Sequence, residues 1–232
     1  MLDYILYIFC LVAIILSIGA QFKVNSTFSR YSGMYTGRGR RAYEVARMML
    51  DRAGLYHVRI ERVRGNLTDH YDPRGEVLRL SDTVYDSSSA AAVGVAAHEA
   101  GHAIQHAVGY LPIKVRSAMV PVTNFASRFS WIVIMLGILV MAFDSLFGYY
   151  VTLAGAGLFA VVTLFQLVTL PCEYNASSRA MEALESSGYY TREELAASRK
   201  VLSAAALTYV ASFAVSALQL IRLLLRINNR RR

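Results

Sequence analysis

The chain carries His98-Glu99-Ala100-Gly101-His102, two imidazoles four positions apart with a carboxylate beside the first. On an α-helix, residues i and i+4 lie one above the other on the same face. A single helix can therefore present both rings to one metal ion. Glu99 is offset around that helix. It is placed to accept a proton from water polarised by the metal rather than to ligate, and zinc brings the pKa of such water to about 7. Val93 to Ala97 before the motif and Ala103 and Ile104 after it are small or apolar, with no proline. This context predicts a buried helix, on which two histidines and a glutamate need partners. The alternative, a chance arrangement of core histidines satisfied by ordinary hydrogen bonds, fits that context poorly.

Catalytic zinc sites use three protein ligands and leave a position for water. His106 continues the spacing, but eight residues along a helix span ~12 Å, too far for one ion to reach both His98 and His106. A polar contact at the helix end is expected of it. His57, at a helix–strand junction, reads as a surface residue. His70 lies in Thr68-Asp69-His70-Tyr71-Asp72, where local turn hydrogen bonding is the plain reading; the sharper one puts His70 and Tyr71 near a substrate cleft. Glu173, in Pro171-Cys172-Glu173-Tyr174-Asn175-Ala176-Ser177, is the candidate third ligand. Helix is expected through Ala183, which sets Ser177 one turn beyond Glu173 on the same face. A polar group there can orient a ligating imidazole through its free ring nitrogen, and Asn175 is a second candidate for that role. A glutamate just past an apolar run can also simply mark a membrane interface. Cys172 points away from Glu173 and is not expected to share its ion. Glu182, Glu185, Glu193 and Glu194 read as a solvated helical face. Tyr71, Tyr174 or Tyr209 could stabilise an oxyanion, although interfacial anchoring is the ordinary role of such tyrosines.

The elements that must position these groups include long apolar runs. Tyr4 to Gln21 carries no charge and is long enough to cross a bilayer, which takes ~20 residues. Phe129 to Leu146 and Phe147 to Leu170 form a second and a third run, with Asp144 to Tyr150 expected as a short loop. Ala204 to Leu225 is a fourth, interrupted near its end by Gln219 and Arg222; it either spans or lies partly buried. The chain thus divides into a transmembrane helix (1–22), a metallopeptidase-type domain with the histidine helix (23–128), transmembrane helices two and three (129–170), a helix carrying the third ligand (171–203), and an apolar C-terminal helix with a basic tail (204–232). Within the second segment, Ala42 to Ala53 has helical apolar spacing and Gly54 stops it. His57 to Val63 alternates as a strand. Asp72-Pro73-Arg74-Gly75, with proline second and glycine fourth, predicts a type I turn between Leu67–Tyr71 and Glu76–Leu80. Ser87 to Ser89 offer N-caps for a helix from about Ala90 to Ala107, ending at Gly109. The expected fold is a mainly α membrane protein of three to four transmembrane helices with a small α+β zincin-like domain, its sheet lying over the histidine helix. The Glu76–Leu80 region is a candidate edge for an extended substrate to join.

Composition agrees. Of 232 residues, 55% are hydrophobic and 17% charged, against about 45–50% and 25% in soluble domains. The net charge of +8 does not imply nucleic acid, because the arginines cluster beside apolar runs, as membrane topology produces. Lys23, Arg30, Arg38, Arg40 and Arg41 follow the first run, and Lys114, Arg116 and Arg128 precede the second. The loop between the second and third has neither Lys nor Arg. The hydrophilic domain and the active site are therefore expected on the cytoplasmic side of a multi-pass plasma-membrane protein. Arg226 and Arg230-Arg231-Arg232 conflict with four complete crossings. Cys10 and Cys172 imply no disulfide framework, and the first apolar run reads as a retained anchor.

At Leu67 to Pro73, Ala96 to His106 and Gln166 to Ser177 the chain resembles the YugP-like neutral zinc metallopeptidases of bacterial membranes, which are related to the HtpX-type gluzincins. The resemblance runs nearly end to end. It implies one Zn2+ per chain, with His98, His102 and Glu173 as ligands, and proteolysis of a membrane or membrane-associated protein. The HtpX-type pattern places an aspartate four residues after the glutamate, where this chain has Ser177. The rival class is a non-proteolytic scaffold with a structural zinc, and Glu99 argues against it, since a structural site has no use for a base. The expected partners are a protein or peptide substrate and the lipid bilayer; the sequence leaves homo-oligomerisation open.

Overall fold

A computed structural model describes residues 2–143 and 145–229. The described residues form six helices and three strands in the order α1 (Leu2–Ser32), α2 (Ala42–Arg52), β1 (Arg59–Val63), β2 (His70–Asp72), β3 (Val77–Ser81), α3 (Ala90–Ala107), α4 (Leu111–Val140), α5 (Ser145–Ser186) and α6 (Arg192–Asn229). Four helices, α1, α4, α5 and α6, are long and apolar enough to cross a membrane. The chain folds as two compact units. One contains Met1–Gly19, Val115–Leu170 and Tyr209–Arg232; the other contains Ala20–Lys114 and Pro171–Thr208.

The second unit holds the histidine motif. α2 and α3 pack along each other, burying Val45, Ala46, Met49 and Leu50 against the alanine-rich face of α3. Small side chains such as Ala92, Ala96 and Ala100 let the helices come close, and Leu184, Val201 and Leu202 complete the core. Ser89 caps α3, its hydroxyl accepting from the Ala92 amide at 3.2 Å. Gly109 takes φ 66 just past its end, the left-handed conformation that terminates helices. The sheet runs β1-β3-β2, with β1 parallel and β2 antiparallel to β3. Arg79, at its centre, pairs with Glu61 of β1 at 3.4 Å and Asp72 of β2 at 3.2 Å. Asp72 Oδ1 also accepts from the amides of Arg74 and Gly75, which closes the hairpin turn. α3 packs against β2 and β3.

Two expectations for this unit need correction. The Glu76–Leu80 region cannot be a free edge, because β3 is the central strand and is paired on both sides; the edges are β1 and β2. Glu194 is not part of a solvated face. It is buried, accepts from the Gly37 amide at 2.7 Å and from the Thr191 amide at 2.8 Å, and so ties the start of α6 to the segment after α1.

In the first unit, α4 and α5 approach closely where Gly137 faces Thr152 and Gly155 faces Ile134; a Cβ at Gly155 would lie 2.7 Å from the Ile134 backbone nitrogen. Trp131 packs on Phe159, with ring centroids 5.5 Å apart. Large apolar side chains such as Ile15, Leu16, Ile132 and Leu139 face outward. That is the inverse of a water-soluble surface and suits hydrocarbon surroundings. The connection between α4 and α5 is tighter than Asp144 to Tyr150: the chain turns at 141–143 and is helical from Ser145. Asp144 and the basic tail Arg230 to Arg232 lie outside the described residues. α6 runs unbroken through Gln219 and Arg222, and the Arg222 guanidinium sits 4.8 Å from the ring centre of Tyr7.

Candidate metal centre

α3 and the end of α5 meet because one position has no side chain. A Cβ at Gly101 would lie 2.7 Å from the carbonyl oxygen of Ala176. The contact brings the histidine face of α3 to Glu173. His98 Nε2 lies 3.3 Å and His102 Nε2 3.6 Å from Glu173 Oε2. The three candidate ligand atoms all fall within 4.8 Å of one another. Glu173 is 3% exposed.

The donor set fits zinc. Tetrahedral zinc with bonds of about 2.0–2.1 Å holds its ligand atoms roughly 3.4 Å apart, close to the two histidine–glutamate separations. The outer contacts also leave the correct nitrogen inward. Gln105 Nε2 donates to the Cys172 carbonyl at 2.8 Å and to Asn175 Oδ1 at 3.0 Å. Its Oε1 is therefore the acceptor 3.0 Å from His102 Nδ1. Reversing the amide would set its carbonyl oxygen against two acceptor oxygens, the Cys172 carbonyl and Asn175 Oδ1. The proton of His102 is thereby held on Nδ1, and the Nε2 lone pair faces Glu173. Ser177 Oγ lies 3.1 Å from His98 Nδ1 and plays the same part there. Arg179 Nε donates to Asn175 Oδ1 at 2.8 Å. Burial favours the neutral form of His102, but the carboxylates of Glu173 and Glu99 outweigh it and raise the imidazole above its ordinary value. The pocket is thus electrostatically suited to a cation.

Glu99 is half-buried, and its carboxylate forms no hydrogen bond among the described residues. Its charge is felt by His102 and by Asp69. Asp69 Oδ1 and Oδ2 accept from the Ser81 amide at 2.7 Å and hydroxyl at 2.9 Å, and burial pushes its carboxyl above the usual range.

The structure therefore brings His98, His102, Glu173 and Ser177 together, and places Asn175 one contact further out, behind Gln105. It does not bring His70 to them: that side chain is exposed, with Nδ1 2.9 Å from the Thr68 carbonyl and Nε2 3.5 Å from Arg79. Tyr71 packs on His106, ring centroids 5.6 Å apart. His57 is a surface residue, 3.6 Å from Glu76. Cys172 is buried and contributes its carbonyl. Sequence reasoning missed Gln105 and Arg179. The signal was present as spacing, since Gln105 is three residues after His102 and Arg179 four after Asn175, both neighbouring positions on a helix.

Fold and site together define a membrane protein with a two-histidine, one-glutamate cluster suited to zinc. Residues 6–228 match the family described as "Putative neutral zinc metallopeptidase", and the chain belongs to that family. It is 46% identical over 220 residues, 94% of this chain and 94% of the relative, to the "Putative membrane protease YugP" of Bacillus subtilis (strain 168). No solved structure matches it.

Proposed function

We propose that this protein is a zinc-dependent membrane endopeptidase in which His98, His102 and Glu173 hold the ion and Glu99 is the general base. The observation that carries the reading is the convergence of both Nε2 atoms on Glu173 Oε2, with the Glu99 carboxylate acting electrostatically on His102 and forming no hydrogen bond among the described residues. Zinc bound there supplies a Lewis acid that activates water near neutral pH. Glu99 takes the proton from the attacking water and passes it to the departing amine. Ser177 and Gln105 fix the two rings. Three ligands leave a position for water, whereas structural zinc sites are closed by four.

The substrate is a membrane or membrane-associated protein, on the proposed reading. Glu173 follows Leu170 by three residues on the continuous helix α5, so the apolar run and the third ligand share one helix. An extended segment would join the sheet at the free edge of β2, the edge strand that packs with α3. The Lys and Arg pattern supports a multi-pass plasma-membrane protein with the site on the cytoplasmic side.

The test is Glu99→Gln. This variant keeps all three ligands and should retain one zinc per chain while hydrolysis falls by about 10²–10⁴-fold. Cleavage at the wild-type rate overturns the mechanism. Stoichiometric zinc with no proteolysis in either protein favours a structural clip.

A further inference from the structure

The second unit contains a cavity of about 560 Å³ between the last turns of α1 and the first half of α6. Small-molecule sites occupy about 300–1,000 Å³, so the volume admits a headgroup-sized ligand. Four cations line it: Lys23 and Arg30 from α1, Arg199 and Lys200 from α6. Three hydroxyls, those of Thr27, Tyr31 and Ser203, join them, and no carboxylate lines the space among the described residues. Arg199 is paired with Glu185. Lys23, Arg30 and Lys200 have no carboxylate partner among the described residues. Arg30 and Lys200 instead approach the same ring, 5.6 and 5.8 Å from the centre of Tyr31. Drawing cations together without a counter-charge is unfavourable, and an anion between them relieves it.

Position along the helices identifies the anion. The apolar run of α1 ends at Gln21, two residues before Lys23, and the apolar run of α6 begins at Ala204, itself part of the cavity lining. Both helices change from charged to apolar here, as they would at the headgroup level of a bilayer. Phe22, 70% exposed, and Leu207, 39% exposed, offer apolar surface on the same two helices. Free phosphate would use the cations and hydroxyls but not this apolar surface.

We propose that this cavity binds the phosphate diester of one anionic phospholipid, whose acyl chains lie along α1 and α6. Cations and hydroxyl donors together satisfy phosphate oxygens, and basic pockets between membrane helices are established headgroup sites. The proposal does not depend on peptidase activity, and its test reads lipid retention alone.

The full chain, purified in detergent, is titrated with phosphatidylglycerol, with phosphatidylcholine of the same acyl chains, and with inorganic phosphate, and bound ligand is counted by native mass spectrometry. One phosphatidylglycerol should be retained in preference to phosphatidylcholine. Loss of each cation should weaken retention about fivefold, and Lys23→Gln/Arg30→Gln/Lys200→Gln together on the order of a hundredfold. Arg64→Gln/Arg74→Gln, which removes the same kind of charge from the hairpin region, should bind as wild type. Equal retention of phosphatidylcholine, or undiminished binding by the triple variant with unchanged thermal unfolding, overturns the proposal. So does inorganic phosphate binding as tightly as the lipid, which would make the cavity a soluble-anion site. If the triple variant unfolds, the single variants decide: wild-type retention by all three overturns the proposal, and graded loss supports it.

Discussion

Gly101 and Ala176 meet backbone to backbone, with a Cβ at position 101 placed 2.7 Å from the Ala176 carbonyl oxygen. Two effects oppose each other in Gly101→Ala. Replacing glycine inside a helix gains roughly 0.5–1 kcal/mol of backbone entropy, while overpacking against rigid backbone costs about 1–3 kcal/mol. The atom that must yield is a helical carbonyl, so the second effect wins. The variant should melt at lower temperature and lose zinc more readily on dialysis against a weak chelator. A higher melting temperature with full zinc would show that α3 and α5 are not held this closely.

Glu173→Ala should lower zinc retention far more than Glu182→Ala, because Glu173 is buried against both histidines while Glu182 is exposed. Ser177→Ala removes only the contact behind His98, and loss of such an outer partner costs about 10–100-fold. Elemental analysis of the three purified variants ranks them. Wild-type zinc content in Glu173→Ala would remove that residue from the ligand set.

Gln105 separates orientation from ligation. Gln105→Ala strands the Nδ1–H of His102, a buried donor whose loss of partner costs about 1–3 kcal/mol, and zinc affinity should fall about 10–100-fold. Gln105→Glu keeps an acceptor for His102 but loses both donated bonds, so it should hold zinc better than the alanine variant. Competition with a coloured chelator gives the order. Equal affinities for the two variants would mean that His102 needs no acceptor at Nδ1.

The proposed cytoplasmic placement is tested by cysteine labelling in a background lacking Cys10 and Cys172. Tyr56 and Phe143 are exposed in separate units, at 74% and 88%. In intact cells a membrane-impermeant thiol reagent should label Phe143→Cys and spare Tyr56→Cys. The opposite pattern reverses the orientation.

Much of the site's immediate framework was legible. α3 begins and ends where its serine cap and following glycine predict, α2 stops before Gly54, and the hairpin forms around Asp72 to Gly75. These are local signals. Non-local ones left less trace. Nothing in the alternation of Arg59 to Val63 says that it pairs parallel with β3, which moved the predicted free edge to the centre of the sheet. The turn at 141–143 is itself made of apolar residues, Met141, Ala142 and Phe143, and Asp144 follows it, so composition sets the expected loop a few residues too late. Gly148 reads as a loop residue and is instead a close-packing position in α5. α4 starts at Leu111, well before its apolar run, because Lys114, Arg116 and Arg128 hide the helix from a hydropathy reading. Glu194 looks solvated until Gly37 is brought beside it, and Gln105 becomes an orienting group only once α5 supplies Cys172 and Asn175.

The candidate ligands are separated in the order of synthesis. His98 and Glu173 stand 75 positions apart, and between them the ribosome must make α4 and the apolar part of α5. On the proposed multi-pass reading, a nascent chain exposes two histidines before its later helices have entered the bilayer, and two ligands grip zinc poorly. The carboxylate arrives only with the far end of α5. Under the proposed ligand set and activity, the growing polypeptide is spared a hydrolytic centre, which is completed only after the helices between its parts have been made.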